Sequence, residues 1–395
     1  MAMHIAAGRI GALAVGLGIG VLGMGAAAAW AAPAAWADSN GSTGGATHAG
    51  PPDRRSPAAR PRMTRPPTQT APTNPKAAAQ ASSLTVRRSF QGPVRLRRGS
   101  TAAAELSGIA YGGGTTYYAV GDNGAPSIWQ LDTTLNERSG RIRSALVSVD
   151  ISVPSLGSDS EGIALGTDPT KAWVADENAS TITQFSLLTG LMLSSVGVPS
   201  IYQPANVQGN FGLESLTYGA GTLWTANEEA LKSDGPLSTT AAGTWVRIQR
   251  FGGPDLTAES QYAYRTDPIA AMSPFTTAER SGVVDLVALP DGQVLALERE
   301  LGGFLPHFRN RIYLVDFTGA TDVTEVPSLI DGGFTPVTKT LLWQGVFALA
   351  NFEGISLGPQ LNDGSYTLLL VSDNGQGQMG QRQSLLSLKL WGLLP

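Results

Sequence analysis

Acids and amides recur at two fixed points of a pattern that this chain repeats five times. The first point opens Ser107-Gly108-Ile109-Ala110-Tyr111, Glu161-Gly162-Ile163-Ala164-Leu165, Glu214-Ser215-Leu216-Thr217-Tyr218, Asp285-Leu286-Val287-Ala288-Leu289 and Glu353-Gly354-Ile355-Ser356-Leu357. The second closes Val120-Gly121-Asp122-Asn123, Val174-Ala175-Asp176-Glu177, Thr225-Ala226-Asn227-Glu228, Ala296-Leu297-Glu298-Arg299 and Val371-Ser372-Asp373-Asn374. If the repeats surround one axis, Glu161, Glu214, Asp285 and Glu353 form one ring. Asp122, Asp176, Glu298 and Asp373 form another, with Glu177 and Glu228 one step further. Converging carboxylates are costly unless protons or cations neutralise them. The chain has no Cys and three His, so the donors are oxygens, which favour a hard cation, Ca²⁺ before Mg²⁺. The candidate metal ligands are therefore Asp122, Glu161, Asp176, Glu177, Glu214, Glu228, Glu353 and Asp373. The same acids would equally serve to accept backbone N–H bonds between repeats and lock them together.

Glu298, Arg299 and His307 are the candidate catalytic residues. Arg299 stands among the acids and would pair with a carboxylate or meet an anionic substrate. His307 is the only histidine beyond residue 48, in an insert after Glu298-Arg299-Glu300 that is expected to overhang the site. A Ser-His-Asp triad lacks its Gly-x-Ser-x-Gly elbow, and no phosphate-cradling Gly loop or dinucleotide fingerprint is present.

The elements that must carry these residues are strands. Each opening segment alternates like a strand, and a turn follows, as at Gly112-Gly113-Gly114, Pro290-Asp291-Gly292 and Asn362-Asp363-Gly364. After the second segment comes a third alternating run: Ser127–Leu131, Thr181–Phe185, Trp245–Gln249, Arg311–Val315 and Leu385–Lys389. Three or four strands per repeat, recurring at intervals of 53 to 71 residues, are the signature of propeller blades with inserts. The expected fold is all-β, a single β-propeller of five or six blades. The stretches 186–210 and 250–281 leave room for a degenerate sixth blade, and a strand near Phe90 to Leu96 is expected to close the ring. The inner strand of each blade then lines a channel whose mouth gathers the acids.

Composition agrees. Gly 48 and Pro 25 in 395 residues, with 15% charged residues, suit many turns and short strands. Residues 1–100 hold 12 Lys and Arg against 2 Asp and Glu, whereas residues 101–395 hold 15 against 29. The acidic part repels nucleic acid and attracts cations, and the basic residues read as those of a solvated linker. Arg9, the apolar run from Ile10 to Ala29 and Ala35-Trp36-Ala37 form a secretion signal with cleavage after Ala37. Residues 38–84 are a disordered Pro/Ala/Thr-rich linker, and residues 85–395 the folded domain. The expectation is a monomer, secreted or associated with the cell envelope, with no membrane span after cleavage.

At Leu106-Ser107-Gly108-Ile109, Asp159-Ser160-Glu161-Gly162-Ile163, Asn210-Phe211-Gly212-Leu213-Glu214-Ser215-Leu216, Leu295-Ala296-Leu297-Glu298-Arg299, Asn351-Phe352-Glu353-Gly354-Ile355 and Val371-Ser372-Asp373-Asn374 the chain resembles the phytase-like, esterase-like-activity propeller family. The resemblance spans roughly residues 100–390. It implies a relative of the calcium-dependent propeller phytases, which hydrolyse phosphate esters with Ca²⁺ and an activated water. The domain is short of Lys and Arg for a phytate site, so another ester is as good a substrate. Two functions stay open: a secreted Ca²⁺-dependent hydrolase of phosphate or related esters, and a non-catalytic propeller binding a protein, glycan or envelope component, in which Trp129, Trp173 and Trp224 are core.

Overall fold

Short runs of alternating apolar residues, each ended by a Gly- or Asp-rich turn, fold here into 22 strands. The computed structural model describes residues 84–98, 103, 105–122, 125–270, 278–302, 307–375 and 380–393. The expected signal peptide and all of the linker but Leu84 lie outside these residues. Among the described residues no helix is long and apolar enough to cross a membrane.

Three short strands come first, β1 (Thr85–Arg88), β2 (Val94–Arg95) and β3 (Arg97–Arg98). Blade 1 is β4 (Leu106–Gly113), β5 (Thr116–Gly121), β6 (Ser127–Leu135) and β7 (Ile142–Ser152). Blade 2 is β8 (Ser160–Leu165), β9 (Lys171–Asp176), β10 (Thr181–Ser186) and β11 (Met192–Val196). Blade 3 is β12 (Thr217–Gly219), β13 (Thr222–Ala226), β14 (Trp245–Gly252) and β15 (Thr257–Arg265). Blade 4 is β16 (Ala278–Ala288), β17 (Val294–Gly302), β18 (His307–Asp316) and β19 (Thr338–Ala348). Blade 5 is β20 (Asn351–Gln360), β21 (Tyr366–Asp373) and β22 (Ser384–Trp391), and its fourth strand is β1. The fold is a β-propeller of five blades, each an antiparallel meander. The stretch 186–210 holds β11 and two 3₁₀ turns, and the described part of 250–281 holds β15 between the end of β14 and the start of β16, so among the described residues neither adds a sixth blade.

Closure uses the start of the domain. β1 pairs antiparallel with β22 from Thr85↔Trp391 to Arg88↔Leu388, and β2 pairs with the other end of β22. The closing segment is thus longer than expected and begins upstream of Phe90. Five apolar cores lie between consecutive blades. One joins Ile109, Tyr117 and Trp129 to Leu369, Val371 and Leu385, sealing blade 1 against blade 5. Trp129, Trp173 and Trp224 are all buried in such cores.

Each inner strand carries one extra residue at the same place, a β-bulge that re-aims that residue. Pairing skips Ser107 in blade 1, Glu161 in blade 2, Val284 in blade 4 and Glu353 in blade 5. In blade 3, Glu214 is the extra residue between Leu213↔Asn227 and Thr217↔Trp224. The repeat in blade 4 is therefore displaced by one residue from the sequence reading. Val284, not Asp285, is the bulged residue of blade 4, and its side chain belongs to the apolar core with Leu297 and Phe352, while Asp285 takes the position of Gly108, Gly162, Ser215 and Gly354.

That next position needs a small residue because neighbouring inner strands touch there. A Cβ on Gly354 would lie 2.3 Å from Ser107 O, and one on Gly162 would lie 2.6 Å from Leu216 N. Asp285 is accommodated by bridging blades: Oδ2 accepts from Ile355 N (2.7 Å) and Oδ1 from Leu286 N (2.8 Å). Burial raises its carboxyl well above the usual range, opposed by backbone N–H groups of Ile355, Leu286 and Leu216. Gly354→Val is expected to cost at least about 1–3 kcal/mol through overpacking, read as a lowered midpoint in thermal circular dichroism. An unchanged midpoint would show that the inner strands separate easily.

Candidate metal centre at the channel mouth

The bulge on each inner strand and the end of the strand beside it bring two rings of side chains to one end of the channel. The bulged residues are Ser107, Glu161, Glu214, Val284 and Glu353, of which Val284 packs in an apolar core. At the strand ends, register aligns Gly121, Asp176, Asn227, Glu298 and Ser372, and then, one residue on, Asp122, Glu177, Glu228, Arg299 and Asp373. Side chains of neighbouring strand residues point to opposite faces. Only the second of these two sets reaches the axis. Ser107, Asp122, Asn210, Glu161, Glu214, Glu228, Arg280, Arg299, Glu353 and Asp373 line one polar cavity of ≈120 Å³.

Three groups of carboxylate oxygens, each within 4.8 Å of one another, form at this mouth: Glu105, Asp122 and Asp373; Asp122, Asp159 and Glu161; and Glu161, Glu177 and Glu214. Asp122 and Glu161 are shared, so the groups run as a chain from blade 5 to blade 3. With Glu228 and Glu353 the mouth holds nine carboxylates against two guanidiniums.

Burial dominates their electrostatics. It raises Glu161 well above the usual range, helped by Glu177, Glu353 and Asp122. It does the same to Glu214, helped by Glu161 and Glu228. Glu177 is pushed up to about 8 by burial and by Glu228, although it accepts the Gly212 N–H. Glu353 also reaches about 8, through burial offset by Arg299 and reinforced by Asp373, Glu228 and Asp122. Burial raises Asp159 and Asp373 as well. Glu353 is held firmly: Oε1 accepts from Asn351 Nδ2 (2.7 Å) and lies 3.3 Å from Arg299.

The two arginines are engaged. Arg299 donates to Glu228 (2.7 Å), and burial, which lowers its pKa, is outweighed by Glu228 and Glu353, which raise it. Arg280 contacts Glu228 (2.6 Å) and Glu229 (3.5 Å) and stacks 4.0 Å from the Phe211 ring centroid.

The mouth thus gathers seven of the eight residues expected as metal ligands; Asp176 is the exception. Asp176 points away from the axis, where Oδ1 caps Ala179 N (2.7 Å) and the carboxylate packs against Gly157. Glu298 also faces into its blade. It accepts from Tyr264 Oη (2.7 Å) and Asp267 N (3.2 Å) and pairs with Lys339, a packing role between blades 3 and 4. His307 pairs with Gly302 at the start of β18 and does not line the cavity. The sequence reading omitted Glu105, Asp159 and Arg280. Glu105 and Asp159 stand two residues before a bulge, as does Asn351, so extending the repeat upstream by two positions would have found them.

The donor set fits a hard cation. All donors are carboxylate oxygens, and Asp159 Oδ2 and Glu177 Oε2 are buried without a hydrogen bond from the described protein.

The sequence matches the family described as "Phytase-like: Esterase-like activity of phytase" over residues 101–376. No curated protein matches the chain. Among solved structures, hydrazine synthase of Kuenenia stuttgartiensis is 10% identical, covering 70% of this chain and 58% of its own, with a TM-score of 0.30. Glutaminyl cyclase of Myxococcus xanthus is 11% identical, covering 78% and 97%, with a TM-score of 0.36. Regucalcin of Agrobacterium tumefaciens, titled a calcium-binding protein, is 13% identical, covering 76% and 94%, with a TM-score of 0.32.

Proposed function

Because the chain belongs to the phytase-like family, we propose that it is an exported, calcium-dependent hydrolase of phosphate esters. The observation that carries this reading is the chain of three oxygen groups joined through Asp122 and Glu161 in one cavity. Glu105, Asp122, Asp159, Glu161, Glu177, Glu214 and Asp373 would hold Ca²⁺. When bound, the ion supplies positive charge that polarises a phosphoryl oxygen and lowers the pKa of an attacking water.

The remaining side chains have separable tasks. Glu353 belongs to none of the three oxygen groups, yet it lines the same cavity. Fixed by Asn351 and Arg299 and raised to about 8, it is mostly protonated at neutral pH and would act as an acid, giving its proton to the ester oxygen that leaves as water attacks phosphorus. Arg299 orients Glu228 and Glu353. Arg280 holds Glu228 and Glu229 from the other side. Ser107 hydroxyl donates to Glu353 Oε2 at 3.5 Å and keeps it turned toward the axis.

One observation favours the second reading, a propeller that binds without catalysis. Both guanidiniums lining the cavity are already paired with carboxylates, so among the described residues no cation there is left for an anionic ester. The hydrolase reading therefore needs calcium to bind its substrate. The test is release of inorganic phosphate from a panel of phosphate monoesters, with calcium and with EDTA. Release that requires calcium and is lost in Glu214→Gln is expected. Release that survives EDTA, or none from any ester, would overturn the proposal.

A further inference from the structure

Charge is distributed differently in the fold than along the chain. Arg87 and Arg88 lie on β1, Arg95 on β2, and Arg97 and Arg98 on β3. Five of the 12 basic residues in the first hundred thus belong to the propeller rather than to a linker. Beyond residue 100 acids outnumber bases 29 to 15, which makes a concentration of arginine here conspicuous.

Arg95, Arg97 and Arg382 line a cavity of ≈950 Å³ together with Asn374 and Gln381. Its backbone is built rather than loose. Leu96 between the first two arginines is buried and its N–H bonds Gln383 O (3.0 Å), so Arg95 and Arg97 both face outward. Arg382 is held from the other side, where Ser372 Oγ donates to its carbonyl (3.0 Å). Asn374 Oδ1 accepts from Glu105 N (2.7 Å), which ties this wall to the first carboxylate group of the channel. None of the three arginines takes part in an ion pair among the described residues.

Three exposed arginines that line one groove, with no carboxylate among its lining residues, present forked donors matched to oxyanions. We propose that this groove is a binding site for a multivalent oxyanion, separate from the carboxylate cavity. A monovalent anion would leave most of the charge uncompensated, and a polyphosphate or polycarboxylate would not. The proposal does not depend on the hydrolase reading.

The test is calorimetric titration of the full chain, stripped of metal and then dialysed free of chelator, with inorganic tripolyphosphate and with citrate, so that the metal-free carboxylate cavity repels anions. Saturable binding of one anion per chain is expected, weakening as sodium chloride is added. Arg95→Ala and Arg382→Ala should each weaken it at least about tenfold, since a charge-assisted pair contributes that much. Arg382→Lys, which keeps the charge but loses the fork, should weaken it less. Glu214→Gln should leave it unchanged. Binding of both anions supports a site for oxyanions at large, and binding of tripolyphosphate alone narrows it to phosphates. No saturable binding, or equal affinity in both alanine variants with their melting points intact, would overturn the assignment.

Discussion

In EDTA, raising the pH from 5 to 8 is expected to lower the melting temperature of this propeller by about 5–10 °C, and calcium at pH 8 is expected to restore it. The sign follows from the carboxyls at the mouth. Burial and mutual repulsion raise Glu161, Glu177, Glu214 and Glu353, the second and fourth to about 8. In the unfolded chain such groups titrate near about 4.3. Between those values the native state holds more protons than the unfolded one, so stability falls as pH rises through the interval and levels off above it. Asp168 and Asp363 are lowered to about 2 by hydrogen bonds from Thr170 and by Lys389 and Ser365. Their contributions are essentially complete by about pH 5 and vary little across this window. A few kcal/mol lost from the raised group corresponds to the stated change in a domain of this size. Calcium held only by the folded arrangement would reverse it, by about 4 kcal/mol when present at a thousandfold its dissociation constant. The measurement is a thermal melt at each pH with and without calcium. A melting temperature that rises from pH 5 to 8 in EDTA would mean that the carboxylates are satisfied by the protein itself.

How far the sequence discloses this site depends on what each residue's neighbours do. Five copies of a small-apolar strand, a turn and an acid-ended strand were sufficient for the propeller, because inner strands that touch tolerate little but Gly, Ser or a bridging Asp. The bulge was invisible. It changes strand parity by one residue, and parity decides which side chain meets the axis. Aligning blade 4 on its acid therefore selected Asp285, whereas pairing makes Val284 the bulged residue. The same parity separates Asp176 from Glu177 and Glu298 from Arg299, adjacent residues with opposite surroundings. Blade number was open because inserts such as the 3₁₀ turns at Ser200–Tyr202 and Pro204–Asn206 carry no strand, yet lengthen the repeat. Arg280 escaped notice because it enters from the first residues of β16, outside the repeated motif.

Glu161→Gln separates metal binding from folding most sharply, because its two effects have opposite signs. Glu161 is the one carboxylate common to the second and third oxygen groups. It is buried, and Glu177, Glu353 and Asp122 all repel its ionised form. Removing the charge relieves that repulsion, so in EDTA at pH 8 the variant should melt at or above the wild-type temperature. With calcium the order reverses. The variant loses a ligand from two groups at once, so calcium should raise its melting temperature by only a small fraction of the wild-type increment. Phosphate release, if the hydrolase reading holds, should fall at least about a hundredfold, the scale of losing charge stabilisation by a metal site. Glu298→Gln supplies the contrast. Its carboxylate pairs with Lys339 and accepts from Tyr264 and Asp267, so the variant leaves Lys339 undercompensated and should be less stable with calcium and without it. Melting curves of both variants, with calcium and with EDTA, distinguish the cases. If Glu161→Gln were destabilised equally in both conditions, Glu161 would be a packing group like Glu298, and the mouth would be a structural lock between blades rather than a metal centre.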